Sequence, residues 1–140
     1  MPEPEWLARV AEVPVARLAT TSVRSDAIDL VPVTFVIVDG CFVTAVDHKP
    51  KSTRSLARLD NVRASRRATV LIDHWDDDWS QLWWVRLRGE AAVVDDMLSP
   101  DAVAAVDALV VKYEPYRSHR PAGPLIVMTI NDVKTWSAVP

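Results

Sequence analysis

Between residues 28 and 38 nearly every position is apolar. Val31, Val33, Phe35 and Ile37 fall on one parity and Leu30, Pro32, Val36 and Val38 on the other, with Asp29 and Thr34 the polar exceptions. A run of this kind predicts a strand covered on both faces. Pro32 has no amide to give to a ladder, so it predicts a bulge or an edge position. Cleaner alternation marks strands at 15–21, 67–75, 82–94 and 125–136. In the stretch 82–94, Trp83, Val85 and Leu87 share one face and Trp84, Arg86 and Arg88 the other. The β-branched run 40–46 follows Asp39-Gly40, a two-residue hairpin signal. Helical spacing appears at Trp6, Leu7, Val10 and Ala11 within 2–13, at Leu56 and Leu59 within 52–61, and at Val103, Val106, Leu109 and Val110 within 102–113. Residues 115–124, with Pro at both ends, read as irregular. Six strands with peripheral helices predict a mainly β protein, an antiparallel sheet closed into a small barrel that removes its edges, as one domain over 1–140. Side chains fill so small a barrel, so a ligand is expected outside it.

Composition narrows the class. A chain of 140 residues can bury one core. No apolar run reaches the length of a membrane span and no export signal opens the sequence, so the expectation is a cytoplasmic protein without membrane contact. Three glycines exclude a glycine-rich dinucleotide loop. The single cysteine, Cys41, reads as a small packed side chain. Four of the six tryptophans lie between Trp75 and Trp84, which predicts an aromatic wall of a pocket or interface.

Charge adds a location. The chain carries 16 basic and 19 acidic residues, yet 48–67 holds Lys49, Lys51, Arg54, Arg58, Arg63, Arg66 and Arg67 against the single acid Asp60. A net-acidic chain with one basic patch fits a discrete phosphorylated small molecule better than nucleic acid. Lys49 and Lys51 flank Pro50 directly after an apolar strand, and Ser52-Thr53 can cap the helix that follows, so two ammonium groups and free helix amides converge. Arg54 and Arg58 fall on the outward side of that helix, and Arg58, Arg63 and Arg66 read as solvated. Arg86 and Arg88 need partners, and Asp76, Asp77 and Asp78 are the nearest acids in sequence. His74 with those three acids has metal-ligand chemistry, but three acids at a hairpin tip more often face water. His48 beside the lysines is a possible proton donor, weighed against a loop histidine that simply bonds phosphate or solvent.

Several segments together carry a resemblance: Ala19-Thr20; Val31-Pro32-Val33-Thr34-Phe35; Asp47 through Leu56; Val70-Leu71-Ile72-Asp73; and Val85 through Ala91. In that order they resemble the split β-barrel family that binds flavin mononucleotide (FMN) or the deazaflavin coenzyme F420. The Asp47 to Ser52 and His74 to Ser80 segments are most similar to the actinobacterial, pyridoxamine-phosphate-oxidase-like F420-dependent subfamily. By position, the resemblance implies that Lys49, Lys51 and Ser52 hold the cofactor phosphate. Thr44, Ala45 and Val46 would lie along the ribityl chain and ring, and Val31, Pro32 and Val33 beside the ring edge. Arg54 and Arg58 would serve the acidic tail of F420, and Trp84, with Trp79 behind it, would wall the site from a partner subunit of a homodimer. The implied activity is hydride transfer between F420 and a small conjugated organic substrate. An FMN-dependent oxidoreductase and a non-catalytic binder of F420, FMN or heme are the alternatives. No residue is assigned a catalytic role.

Overall fold

The computed structural model describes residues 4–46 and 53–139, with the side chains of 53–56 outside the description. The elements run α1 (Glu5–Ala11), β1 (Ala16–Thr21), β2 (Ile28–Val33), β3 (Val36–Val38), β4 (Cys41–Ala45), α2 (Thr53–Ser65), β5 (Arg67–His74), β6 (Trp83–Val94), α3 (Pro100–Lys112), α4 (Pro115–Ser118) and β7 (Leu125–Ser137). A single 3-10 turn, Trp79–Gln81, sits between β5 and β6. The strands form one sheet in the order β2-β1-β5-β6-β7-β4-β3, every neighbouring pair antiparallel.

Seven strands replace the six expected, because the long apolar run breaks at Thr34-Phe35 into β2 and β3. These two are the opposite edges of the sheet, yet only two residues separate them. Three Cα steps reach at most ~10–11 Å, so the edges stand together at that corner and the sheet curls into a split barrel. Pro32 accordingly lies on an edge strand, opposite Arg17.

The break frees a backbone amide and carbonyl, and side chains from the end of α3 take them up. Phe35 N–H donates to the Tyr113 hydroxyl at 3.0 Å, and that hydroxyl donates to the Pro14 carbonyl at 2.8 Å. Lys112 Nζ donates to the Phe35 carbonyl at 3.1 Å, and the hydroxyls of Thr34 and Tyr116 are hydrogen-bonded at 2.7 Å. Inside the barrel Phe35 stacks on Phe42 at 5.3 Å between centroids, among Leu18, Val70, Ile72, Leu87 and Met128. Outside it, α3 begins where Ser99 accepts the Ala102 amide, and packs Ala105, Val106 and Leu109 on Val43, Ala45 and Leu125. The one-residue shift between β6 and β7 falls at Gly89, where a Cβ would come 1.7 Å from the Thr129 carbonyl oxygen. Only glycine permits that approach.

Two expectations change. The irregular 115–124 stretch contains α4. The acids near Trp75 do not serve Arg86 and Arg88: Asp76 and Asp78 accept backbone amides two residues ahead, from Asp78 and Ser80, as short turns do. In register, Arg86 stands between Leu71 and Lys134, and Arg88 between Thr69 and Asp132.

Tyr113→Phe removes the acceptor of the Phe35 amide and the donor to Pro14 while keeping the ring. We expect a loss of about 1–3 kcal/mol, seen as a lower urea midpoint with an unchanged m-value.

Candidate cofactor site

Helix α2 carries the site from sequence to geometry. Leu59 and Val62 are buried in the core on its inner side. The helix stops where Arg66 turns to φ 59°, a left-handed position that closes its end before β5 begins. Between those leucine and valine anchors lies Asn61, only 1% exposed. Its Nδ2 donates to Thr20 Oγ1 at 3.0 Å and to Asp29 Oδ2 at 2.7 Å, while its Oδ1 accepts the Val23 amide at 3.1 Å. One amide side chain therefore fixes α2 against the β1–β2 hairpin.

Residues three apart share a helix face, so the orientation of Asn61 also sets that of Arg58. Arg58 faces the edge strand β2, where it lines a cleft of about 310 Å³ with Asp29, Leu30, Val31 and Ala57. Its Nε is buried and has no hydrogen-bond partner among the described residues. Burial lowers the pKa of its guanidinium from the ordinary value, since a desolvated cation is disfavoured. A half-buried cation with an unused donor, beside a strand whose outer edge has no neighbour in the sheet, can take an anionic group.

The sequence-derived residues distribute as follows. Val31 lines the cleft, and Pro32 next to it is exposed; Val33 turns into the core. Thr44, Ala45 and Val46 are buried on β4 and just after it. Strand β3 ends at Val36 opposite Val43, so Thr44 and Ala45 are laddered only to β7. Among the described residues Thr44 Oγ1 and, on β6, Arg86 Nε are also buried without a hydrogen-bond partner. Lys49, Lys51 and Ser52 lie outside the described residues, as does His48. Arg54 is on α2 one turn before Arg58, its side chain undescribed. Trp84 is half-buried on the outer face of the sheet, between Asp73 and Trp136 in register. Trp79 meets Trp75 edge to face at 6.3 Å. His74 lies 3.8 Å from Asp76 and stacks on Trp83, and among the described residues no three His, Cys, Asp or Glu side chains gather as metal ligands.

Sequence reading missed Arg58 and Asn61 as a pair. The available signal was their i, i+3 spacing, with a polar residue placed between two apolar anchors.

A profile of the pyridoxamine 5'-phosphate oxidase family matches residues 2–137. The chain belongs to that family. Among solved members of the fold, a conserved hypothetical protein from Mycobacterium tuberculosis superposes with a TM-score of 0.76 at 18% identity, covering 99% of this chain and 86% of that one. The FAD binding protein from Mycobacterium smegmatis gives 0.64 at 16% identity, covering 97% and 96%. The heme storage protein HutZ from Vibrio cholerae gives 0.71 at 11% identity, covering 96% and 93%. No curated protein sequence matches significantly. At these identities the likeness is one of fold.

Two substitutions separate support from function. Asn61→Ala leaves Thr20, Asp29 and the Val23 amide without their shared partner and should cost about 2–3 kcal/mol in urea unfolding. Arg58→Met removes a desolvated cation whose Nε bonds nothing, and should leave stability within about 1 kcal/mol of the parent.

Proposed function

We infer that this protein is an F420-dependent oxidoreductase, which transfers a hydride between the deazaflavin and a small conjugated organic substrate. The observation that carries the reading is Arg58: a buried, unpartnered guanidinium nitrogen facing a cleft beside Val31, on the helix that follows the basic segment Lys49-Pro50-Lys51. The residues present fit a phosphate-bearing ring cofactor, since the orphaned donor seeks an anion and the edge strand offers backbone for a flat ring.

In this reading Lys49, Lys51 and Ser52 hold the phosphate, and Arg58 with Arg54 meets the acidic tail. Val31, Pro32 and Val33 run beside the ring, and Thr44, Ala45 and Val46 line the path between. F420 when bound supplies the hydride chemistry, and the chain itself binds, orients and dries the ring. Charge-assisted phosphate contacts contribute about 1.5–3 kcal/mol each, so apolar contact must supply the rest of the affinity. F420 stands ahead of FMN because only its acidic tail gives the two helix arginines an anion to meet.

The site would be completed by a second copy of the chain. The outer face of the sheet exposes Ile28 by 69% and Leu30 by 66%, with Leu71 and Trp136 also open. An apolar row of this extent calls for a cover, and a homodimer stacked there would bring the partner's aromatic residues toward the cleft. A second reading, a cofactor carrier without turnover, is favoured by the FAD-binding and heme-storage relatives.

Titration with F420, FMN, FAD and heme, followed by tryptophan quenching and joined to an assay of reduced F420 consumption, tests the reading. F420 should bind tightest and turn over with a conjugated acceptor. Binding of heme or FAD alone would favour the carrier. Lys51→Ala and Arg58→Met should each weaken F420 at least tenfold with the fold intact; unchanged affinity removes that residue from the site.

A further inference from the structure

Lys112 ends α3 and stands where two further clefts meet, neither of which shares a lining residue with the Arg58 cleft. The larger, about 300 Å³, runs beneath α1 and is walled by Leu7, Val10, Phe35, Ile37 and Ala108. The smaller, about 260 Å³, opens between Glu12, Pro14 and Tyr113. Lys112 Nζ lies 3.6 Å from the centre of the Phe35 ring and gives one N–H to the Phe35 carbonyl. An ammonium has three N–H donors, and that carbonyl uses one. Among the described residues no carboxylate stands within ion-pair distance of it. Burial with no compensating acid lowers its pKa to about 8. Tyr113 beside it is pushed the other way, chiefly by burial, and stays a neutral phenol near neutral pH.

We propose that Lys112 and the two clefts meeting at it form a second binding site, for a small monocarboxylate with an apolar tail. The carboxylate takes the unused N–H groups of Lys112, and the tail lies in the apolar channel between α1, β3 and α3. The channel is at the lower end of the ~300–1,000 Å³ of small-molecule sites, which limits the tail to a short chain or one ring. The channel sets the other limit, because a second carboxylate at the far end of the tail would lie among Leu7, Val10 and Ile37 with no cation beside it. The groups that face Lys112 are Glu12 from the end of α1 and Tyr113 from α3, with Tyr116 hydrogen-bonded behind them to Thr34.

The chemistry predicts a proton linkage. At pH 8 about half of the free protein carries neutral Lys112, whereas the bound carboxylate requires the ammonium, so binding takes up a proton. Calorimetric titration of the whole protein with hexanoate at pH 8, in buffers of different ionisation enthalpy, reads affinity and uptake together. We expect saturable binding with proton uptake that vanishes well below that pH. Hexanol and the dicarboxylate adipate should each bind at least tenfold more weakly. Lys112→Met should lose hexanoate at least tenfold. Should that variant fail to fold, Lys112→Arg keeps the cation and must bind hexanoate without proton uptake. Equal binding of hexanol and hexanoate, binding with no uptake in the parent, or no saturation at millimolar hexanoate would overturn the site.

Discussion

The two residues between β2 and β3 determine the shape of the protein. A seven-stranded sheet whose outermost strands are joined by Thr34-Phe35 has no flat solution, because the linker is far shorter than the width of the sheet. Curling brings the edges together, and the backbone groups exposed at the corner then need partners away from any ladder. Tyr113 and Lys112 supply them from a helix nearly eighty residues later in the chain. The packing of α3 on the barrel and the bend of the sheet are therefore one constraint. Loss of the helix would leave the Phe35 amide and carbonyl without those partners.

Buried polar groups in this fold divide into two kinds. Asn61 spends its donor and acceptor atoms on three partners from β1, β2 and the turn between them, the pattern of a group retained for structure. Arg58, one turn earlier, is buried without that return. A lone desolvated donor costs free energy in the isolated chain, and such costs persist where a ligand recovers them. Lys112 is a milder case: half-buried, it satisfies one carbonyl and lies over the Phe35 ring, and it meets no described carboxylate.

Most of the fold was legible in the sequence because its strands alternate cleanly and its turns use Asp-Gly and Pro. The sheet partners β5, β6 and β7 fall within a residue or two of the stretches the alternation marked, and α3 starts two residues before the 102–113 stretch of helical spacing. The bend at Thr34-Phe35 was not legible. Thr34 and Phe35 put neither a glycine nor a proline at the break, and the partners that satisfy it, Tyr113 and Lys112, are far away in sequence. Alternation along one strand carries no record of such a partner. The site was half legible. Val31, which the family resemblance put beside a ring, lines the cleft, but Arg58 reads as an outward arginine until β2 is seen to pass in front of it. What counts as the solvent side of an amphipathic helix depends on whether another element covers it.

The position of the cleft also bears on where a small barrel has room for a ligand. The interior is closed to it: Leu18, Phe42, Val70, Ile72, Leu87 and Met128 are all within a few per cent of complete burial and meet at the centre. A ring system placed there would have to displace the contacts that hold the sheet curled. Strand β2 at the edge offers the opposite balance. Its outer backbone is unladdered, its outward side chains Ile28 and Leu30 are already exposed, and α2 delivers a cation alongside. Covering those side chains with a ring or a second subunit removes apolar surface from water at ~25 cal/mol per Å² without disturbing the core. A ligand at the rim therefore adds stability to a fold that is complete without it, and one in the barrel would subtract from it.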